Sequence, residues 1–415
     1  MNFSTRQNIN RLIGGGGTLS PLLIVIVLGV GLIGFMPSGV INLREQETIF
    51  PIVAMILLGA CLIYFKASTP VGLAVVFALF YSLANFTPDN YKFILTLAVF
   101  SGAYYVIVTS YSEIERRIPL IFNVVCILAL LNVLWLALQV NGIYIFFHPV
   151  KSVPEIETGF FANRNEVSVF LAASLPFFFR GRWHYGIIPV LAGLCVAQTT
   201  NGIIGAALVL AIYGARIVYY KGWPIFLIAA CAVCGVVIAV VSYTTFIHSG
   251  AYGARMQAFT KSIELVQEKP FLGWGISQGK YVIPLYLNGD RQDKRYLAYA
   301  YSKIVHHQDF KRVYLNHPER YKGGSEQWNY LHNDYLQWTI EAGVLGLFLM
   351  LLVIGSHVRA FLKTKKKDII LGLSGLCLLW TANAFFTFQI GRFAFLTVII
   401  MALIQGRYLK EKLEA

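Results

Sequence analysis

The feature that most restricts this chain is a series of long apolar stretches, each ended by charge, Gly, Pro or Asn. Residues 118–140 contain no charged side chain at all. A helix of ~20 apolar residues crosses the hydrocarbon core of a bilayer. Inside lipid the backbone must satisfy its own hydrogen bonds, which leaves helices or closed barrels. Period-two alternation would mark barrel strands, and these windows are too long and too uniformly apolar for that. Twelve windows read as spans: 20–36, 49–65, 69–86, 93–109, 118–140, 167–180, 185–198, 201–219, 224–243, 342–361, 369–388 and 391–406. The sixth, seventh and twelfth are short, as expected of tilted or partly broken helices. The expected fold is all-α, a polytopic helical membrane protein of about 12 transmembrane helices.

Composition agrees. Hydrophobic residues make up 57% of the 415 and charged ones 13%. That balance excludes a soluble cytoplasmic enzyme, a disordered chain and a coiled coil. The net charge of +14 would suit a nucleic-acid partner, but its distribution argues against one. With the N-terminus inside, the inner segments hold 17 basic and five acidic residues, and the outer ones 17 basic and 15 acidic. This is a positive-inside pattern, so both termini are expected in the cytoplasm. The run Lys363–Lys367 reads as a topology anchor against anionic membrane lipids. The first span, preceded by Gly14–Gly17, lacks a small-x-small cleavage pattern and is expected to stay as an anchor. All six cysteines fall within spans, and the Cys231/Cys234 pair reads as core packing.

Three regions follow: a bundle over 1–243 (spans one to nine, with an outer loop at 141–166), a periplasmic cap over 244–341, and spans ten to twelve with a cytoplasmic tail over 342–415. The cap holds five of the eight histidines, ten tyrosines and three tryptophans. A loop of that length and composition is expected to be ordered and functional. Within it, Ala258–Glu268 has amphipathic helical spacing, with Phe259, Ile263 and Val266 on one side. Pro270 ends it, and Phe271-Leu-Gly-Trp-Gly275 reads as a turn packing the cap down.

The densest polar chemistry lies in Trp328-Asn-Tyr-Leu-His-Asn-Asp-Tyr-Leu-Gln-Trp-Thr-Ile-Glu-Ala-Gly343. His332 there has the chemistry to take a proton from a hydroxyl near neutral pH, with Asn333 and Asp334 to orient it or bind sugar. A second reading stands beside this one: His332 and Asn333 cap the helix. On a helix Asn333, Gln337 and Glu341 share a face. Arg164, between Asn163 and Asn165, and Arg255 offer guanidinium forks suited to phosphate, or equally to interfacial ion pairs. Trp328, Tyr330 and Trp338 suit stacking on sugars or core packing. His306, His307 and His317 lack the spacing of a zinc site, so neither metal nor cofactor is expected.

These segments resemble the O-antigen ligase and O-antigen polymerase superfamily of bacterial surface-polysaccharide membrane enzymes. Three elements carry the resemblance: Gly159-Phe-Phe-Ala-Asn-Arg-Asn-Glu166, Arg255 through Glu268-Lys-Pro-Phe-Leu-Gly-Trp-Gly275, and His332-Asn-Asp-Tyr-Leu336 with Glu341-Ala-Gly-Val-Leu-Gly346. The resemblance implies a GT-C-like glycosyltransferase of the inner membrane that takes a glycan from an undecaprenyl-diphosphate donor at the periplasmic face. It implies lipid A core or a growing glycan as acceptor, for a ligase or a polymerase respectively. It implies His332 as the residue activating the acceptor hydroxyl, and Arg255 and Arg164 as contacts to the donor pyrophosphate. Asn333, Asp334, Asn163, Asn165, Trp328, Tyr335 and Glu341 become supporting or sugar-binding residues. One departure stands out: where many relatives carry Ser-Arg after the seventh span, this chain reads Thr199-Thr-Asn-Gly-Ile203. The reading from another class is a polytopic transporter. The lack of a half-chain repeat, the near absence of acidic residues at membrane centre and the large outer loop all argue against it.

Overall fold

The computed structural model describes residues 69–84, 88–143, 159, 164–220, 259–260, 262–276, 279, 333–365, 368–379 and 392–415. Among these residues the regular structure is entirely helical. In chain order the elements are α1 (Pro70–Ala84), α2 (Pro88–Thr109), α3 (Tyr111–Glu115), α4 (Ile118–Val140), α5 (Arg164–Ser174), α6 (Ile187–Ala197), α7 (Thr200–Tyr220), α8 (Asp334–Lys363), α9 (Ile369–Cys377) and α10 (Arg392–Glu414). Two 3-10 segments, Leu175–Phe179 and Gly181–Gly186, join α5 to α6.

By length and composition, Ile118–Val140 and Tyr335–Lys363 suffice to cross a membrane, while the apolar stretches Pro70–Leu83, Thr96–Thr109 and Gly202–Ile217 are shorter. The windows at 20–36, 49–65 and 224–243 lie outside the described residues. The tenth window begins earlier than its apolar run, because α8 continues from Asp334 through the polar positions Gln337 and Glu341. Those two side chains bond to each other within the helix, so their polarity does not stop it. The sixth window does break. α5 gives way to a 3-10 turn at Leu175–Phe179, where Pro176 lacks the N–H that an α-helix needs.

The chain divides into two compact units: residues within 98–248 and 357–415 belong to one, and residues within 66–97 and 249–356 to the other. In the second unit, Thr69 and Pro70 start α1 as sequence rules require. The Thr69 side chain accepts from Gly72 N at 3.0 Å, and Pro70 needs no donor in the first turn. The core there gathers Ala78 of α1, Phe93 of α2, Ile276 and Ala342, flanked by Phe77, Tyr81, Leu97 and Trp338.

In the first unit, α4, α5, α6 and α7 pack together, with α9 against α5 and α7. Phe177 meets Phe122 edge-on at 4.9 Å, and Phe179 stacks on Tyr213 at 3.8 Å. At the α5 break Ser374 Oγ of α9 donates to the carbonyl of Ala173 at 2.8 Å, tying the two helices together. At another end of this unit Asp368 caps α9 by accepting from Ile370 N at 3.1 Å, and Lys410 pairs with Glu115 at 2.5 Å.

Candidate active site

The segment that leads to α8 was singled out for its polar density, and its residues have definite jobs. Asn333 caps the helix: its Oδ1 accepts from Leu336 N at 2.9 Å, and its carbonyl accepts from Gln337 N at 2.9 Å. The capping role raised from sequence is therefore real for Asn333, and Nδ2 is the group left to donate outward. Asp334 is the first helical residue. Tyr335 is half-buried, and its carbonyl accepts from Thr339 Oγ1 at 2.7 Å. One turn on, Gln337 Nε2 donates to Glu341 Oε1 at 3.0 Å, and Glu341 is only 7% exposed. A Cβ at Gly279 would stand 2.5 Å from Glu341 Oε1, so glycine is what lets the chain lie against this pair. His332 immediately precedes the cap and lies outside the described residues, as do Arg255, Trp328, Tyr330 and Asn163.

The platform under this segment is a backbone clasp that the sequence did not foretell. α8 breaks at Gly343, with φ +68° and ψ −173°, a conformation essentially reserved for glycine. The break frees the carbonyls of Ile340 and Glu341 from their helical partners. Trp274 N and Gly275 N donate to them at 2.8 and 2.9 Å. In return Val344 N and Leu345 N donate to Pro270 O and Phe271 O at 2.7 and 3.3 Å. Gly273, also at φ +68°, sits so close that a Cβ there would be 2.6 Å from Gly343 N. The turn 270–275 and the Glu341–Gly346 stretch, read separately from sequence, are thus two halves of one joint. Trp274 locks it: its Nε1 donates to Leu265 O at 3.0 Å, and Lys269 Nζ lies 4.7 Å over its ring. Tyr81 OH donates to Leu272 O, tying α1 to the turn.

Arg164 lies in the other unit, half-buried as the first residue of α5. Four residues on, Ser168 is fully buried and accepts from Thr199 Oγ1, while donating to Asn165 O at 3.0 Å. A Cβ at Gly202 would fall 2.5 Å from Ser168 Cβ, so α7 begins in close contact with α5. Arg164 consequently stands one helical turn from the Thr199–Ile203 stretch that lacks an arginine. Residues missed from sequence alone hold the approach to this helix: Gln139 bonds both the N–H and the carbonyl of Gly159, and Asn132 lies against the same glycine. Carboxamides in an otherwise apolar span (Asn123, Asn132 and Gln139) were the available signal.

Residues 185–351 match the family model described as O-antigen ligase. That match supports the resemblance to the O-antigen ligase and polymerase superfamily. Members of that family are membrane proteins, and the match supports a ligase- or polymerase-type function in general. The matched residues span α6, α7, the Gly273–Gly343 clasp and most of α8, along with positions 255 and 332; Arg164 precedes them. No curated protein matches the chain.

Proposed function

We propose that this protein is an O-antigen ligase-like glycosyltransferase. It moves a glycan from undecaprenyl diphosphate to a sugar acceptor such as lipid A core, at the periplasmic face of the bacterial inner membrane. The observation that carries the reading is the clasp. It anchors the helix that follows His332 rigidly to the turn 270–275, all inside the segment matched to the ligase family. A base held on a braced helix end keeps its geometry through the reaction.

In this reading His332 takes the proton of the acceptor hydroxyl as its oxygen bonds to the anomeric carbon. The bond from that carbon to the pyrophosphate oxygen breaks, and the lipid diphosphate leaves. Arg255 and Arg164 neutralise the leaving charge, so the chemistry asks for no metal, and single displacement inverts the anomeric centre. Arg164 is favoured as substitute for the arginine missing at Thr199–Ile203 by its position one turn from Ser168, which bonds Thr199. Asn333 and Asp334, the neighbours of His332 in the chain, are assigned supporting or sugar-binding roles. About 12 spans with both termini inside and the 244–341 region outside complete the topology. The second reading is a polymerase using the same donor; the departure at Thr199–Ile203 weakens a close assignment to a typical ligase.

The test is incubation of purified protein with lipid-diphosphate-linked oligosaccharide, with and without lipid A core. Transfer only to core marks a ligase, and longer lipid-linked products without core mark a polymerase. Full activity of His332→Ala and Arg255→Ala would overturn the assigned site, and loss of turnover in chelator would overturn the metal-free step.

A further inference from the structure

Helix α4 carries no charge, yet two carboxamides occupy its buried face: Asn132 at 1% and Gln139 at 6% exposure. Seven residues apart, they lie on one side of the helix. A carboxamide withdrawn from water is costly unless its hydrogen bonds are replaced. Gln139 bonds both backbone groups of one residue in another segment. Its Oε1 accepts from Gly159 N at 2.9 Å and its Nε2 donates to Gly159 O at 3.4 Å. The pairing copies a rung of a β-ladder, with a side chain in place of the second strand.

Gly159 has little freedom in this grip. Its φ is +59°, and a Cβ there would stand 3.1 Å from Val167 Cγ2 and 3.2 Å from Asn132 Cγ. Val167 is fully buried in the first turn of α5, three residues after Arg164. The glycine is therefore held between α4 and the start of α5. Farther along α5, Ser168 is bonded by Thr199, and the carbonyl of Ala173 by Ser374. The Gln139–Gly159 pairing is the corresponding constraint beside the end that begins with Arg164.

We propose that Gln139, with Asn132 beside it, is a positioning residue that sets where Arg164 meets the donor's pyrophosphate. The inference rests on the reading of Arg164 as a phosphate contact. A guanidinium binds phosphate through a planar fork, so a tilt of its helix start costs affinity even when the charge is unchanged.

The experiment measures undecaprenyl diphosphate binding to the purified full chain in detergent. The variants are Arg164→Ala, Gln139→Met and the double substitution. Methionine keeps the length of the side chain and removes both hydrogen bonds. Arg164→Ala should weaken binding on the order of tenfold, and Gln139→Met about threefold or more, from misplacement of the fork. The double variant should bind no more weakly than Arg164→Ala, because the two act through one contact. If Arg164→Ala leaves binding unchanged, the reading of Arg164 fails and the positioning role falls with it. If Arg164→Ala weakens binding and Gln139→Met does not, the reading of Arg164 survives and the positioning role alone is overturned. Equal loss from Gln139→Met in both backgrounds also overturns it, since a general loosening needs no arginine. Should Gln139→Met not purify, Gln139→Glu is the second probe. It keeps the acceptor for Gly159 N and loses the donor, and an intermediate loss confined to the Arg164 background is expected.

Discussion

Replacing Gly343 by alanine should open the joint that braces α8. Alanine at φ +68°, ψ −173° sits where L-residues are essentially absent, at a cost of ~1–3 kcal/mol. Space is the larger problem: the new Cβ would lie 2.5 Å from Leu272 N, on backbone that has no rotamer to escape into. The turn must move, and the four backbone bonds to Pro270, Phe271, Ile340 and Glu341 go with it. At a net ~0.5–1.5 kcal/mol each, their loss adds ~2–6 kcal/mol, partly recovered if the helix straightens through position 343. Gly355 is the internal control. It lies in the same helix with nothing within 4 Å of its would-be Cβ, so Gly355→Ala should gain up to ~1 kcal/mol of helix propensity. Hydrogen exchange on the purified protein reads the joint directly, because the amides of Trp274, Gly275, Val344 and Leu345 are its donors. Gly343→Ala should lose protection at all four while Gly355→Ala keeps it, and transfer activity should fall with the protection. Unchanged protection in Gly343→Ala would refute the clasp.

Further predictions concern the framework. Ser374→Ala removes the hydrogen bond to the Ala173 carbonyl and should cost ~0.5–1.5 kcal/mol, seen as a lower thermal midpoint in detergent. Gly202→Ala drives a methyl onto Ser168 and should destabilise by ~1–3 kcal/mol, with weaker donor binding if Arg164 moves with α5. Lys410 has its pKa raised above 10.5, chiefly by its hydrogen bond to Glu115, and Tyr111 has its own raised by burial. Both raised values mean stability that is whole below the unfolded pKa and lost as pH climbs through the folded one. The thermal midpoint should therefore fall on the alkaline side, above about pH 10. Glu115→Gln should flatten chiefly the lysine part of that limb, by no more than ~1 kcal/mol for a pair about one-third exposed, because Glu115 is the first cause of the raised Lys410 and a lesser one for Tyr111.

Local chemistry made much of this protein readable in advance. The run from Ile118 to Val140 is a helix over those same residues, because an uncharged apolar stretch bounded by Arg117 and Asn141 has few other options. The short sixth window was expected to be tilted or partly broken, and the structure breaks it at Pro176, which acts on its own backbone. The family resemblance, too, was carried by short ordered segments, and the match over 185–351 agrees with it. The extent of α8 was less readable: its apolar run suggested a start near 342, while the Gln337–Glu341 bond lets the helix begin at Asp334.

What the sequence determined by itself was the choice of helix in lipid and the residue types available for chemistry, since hydropathy and backbone propensity are local properties. What only the tertiary structure decided was which distant segments serve one another. Gly273 and Gly343 carry no mark of their partnership, and neither do Gln139 and Gly159. Each pair exists because a hydrogen bond or a missing Cβ matters only once packing brings the second member within reach.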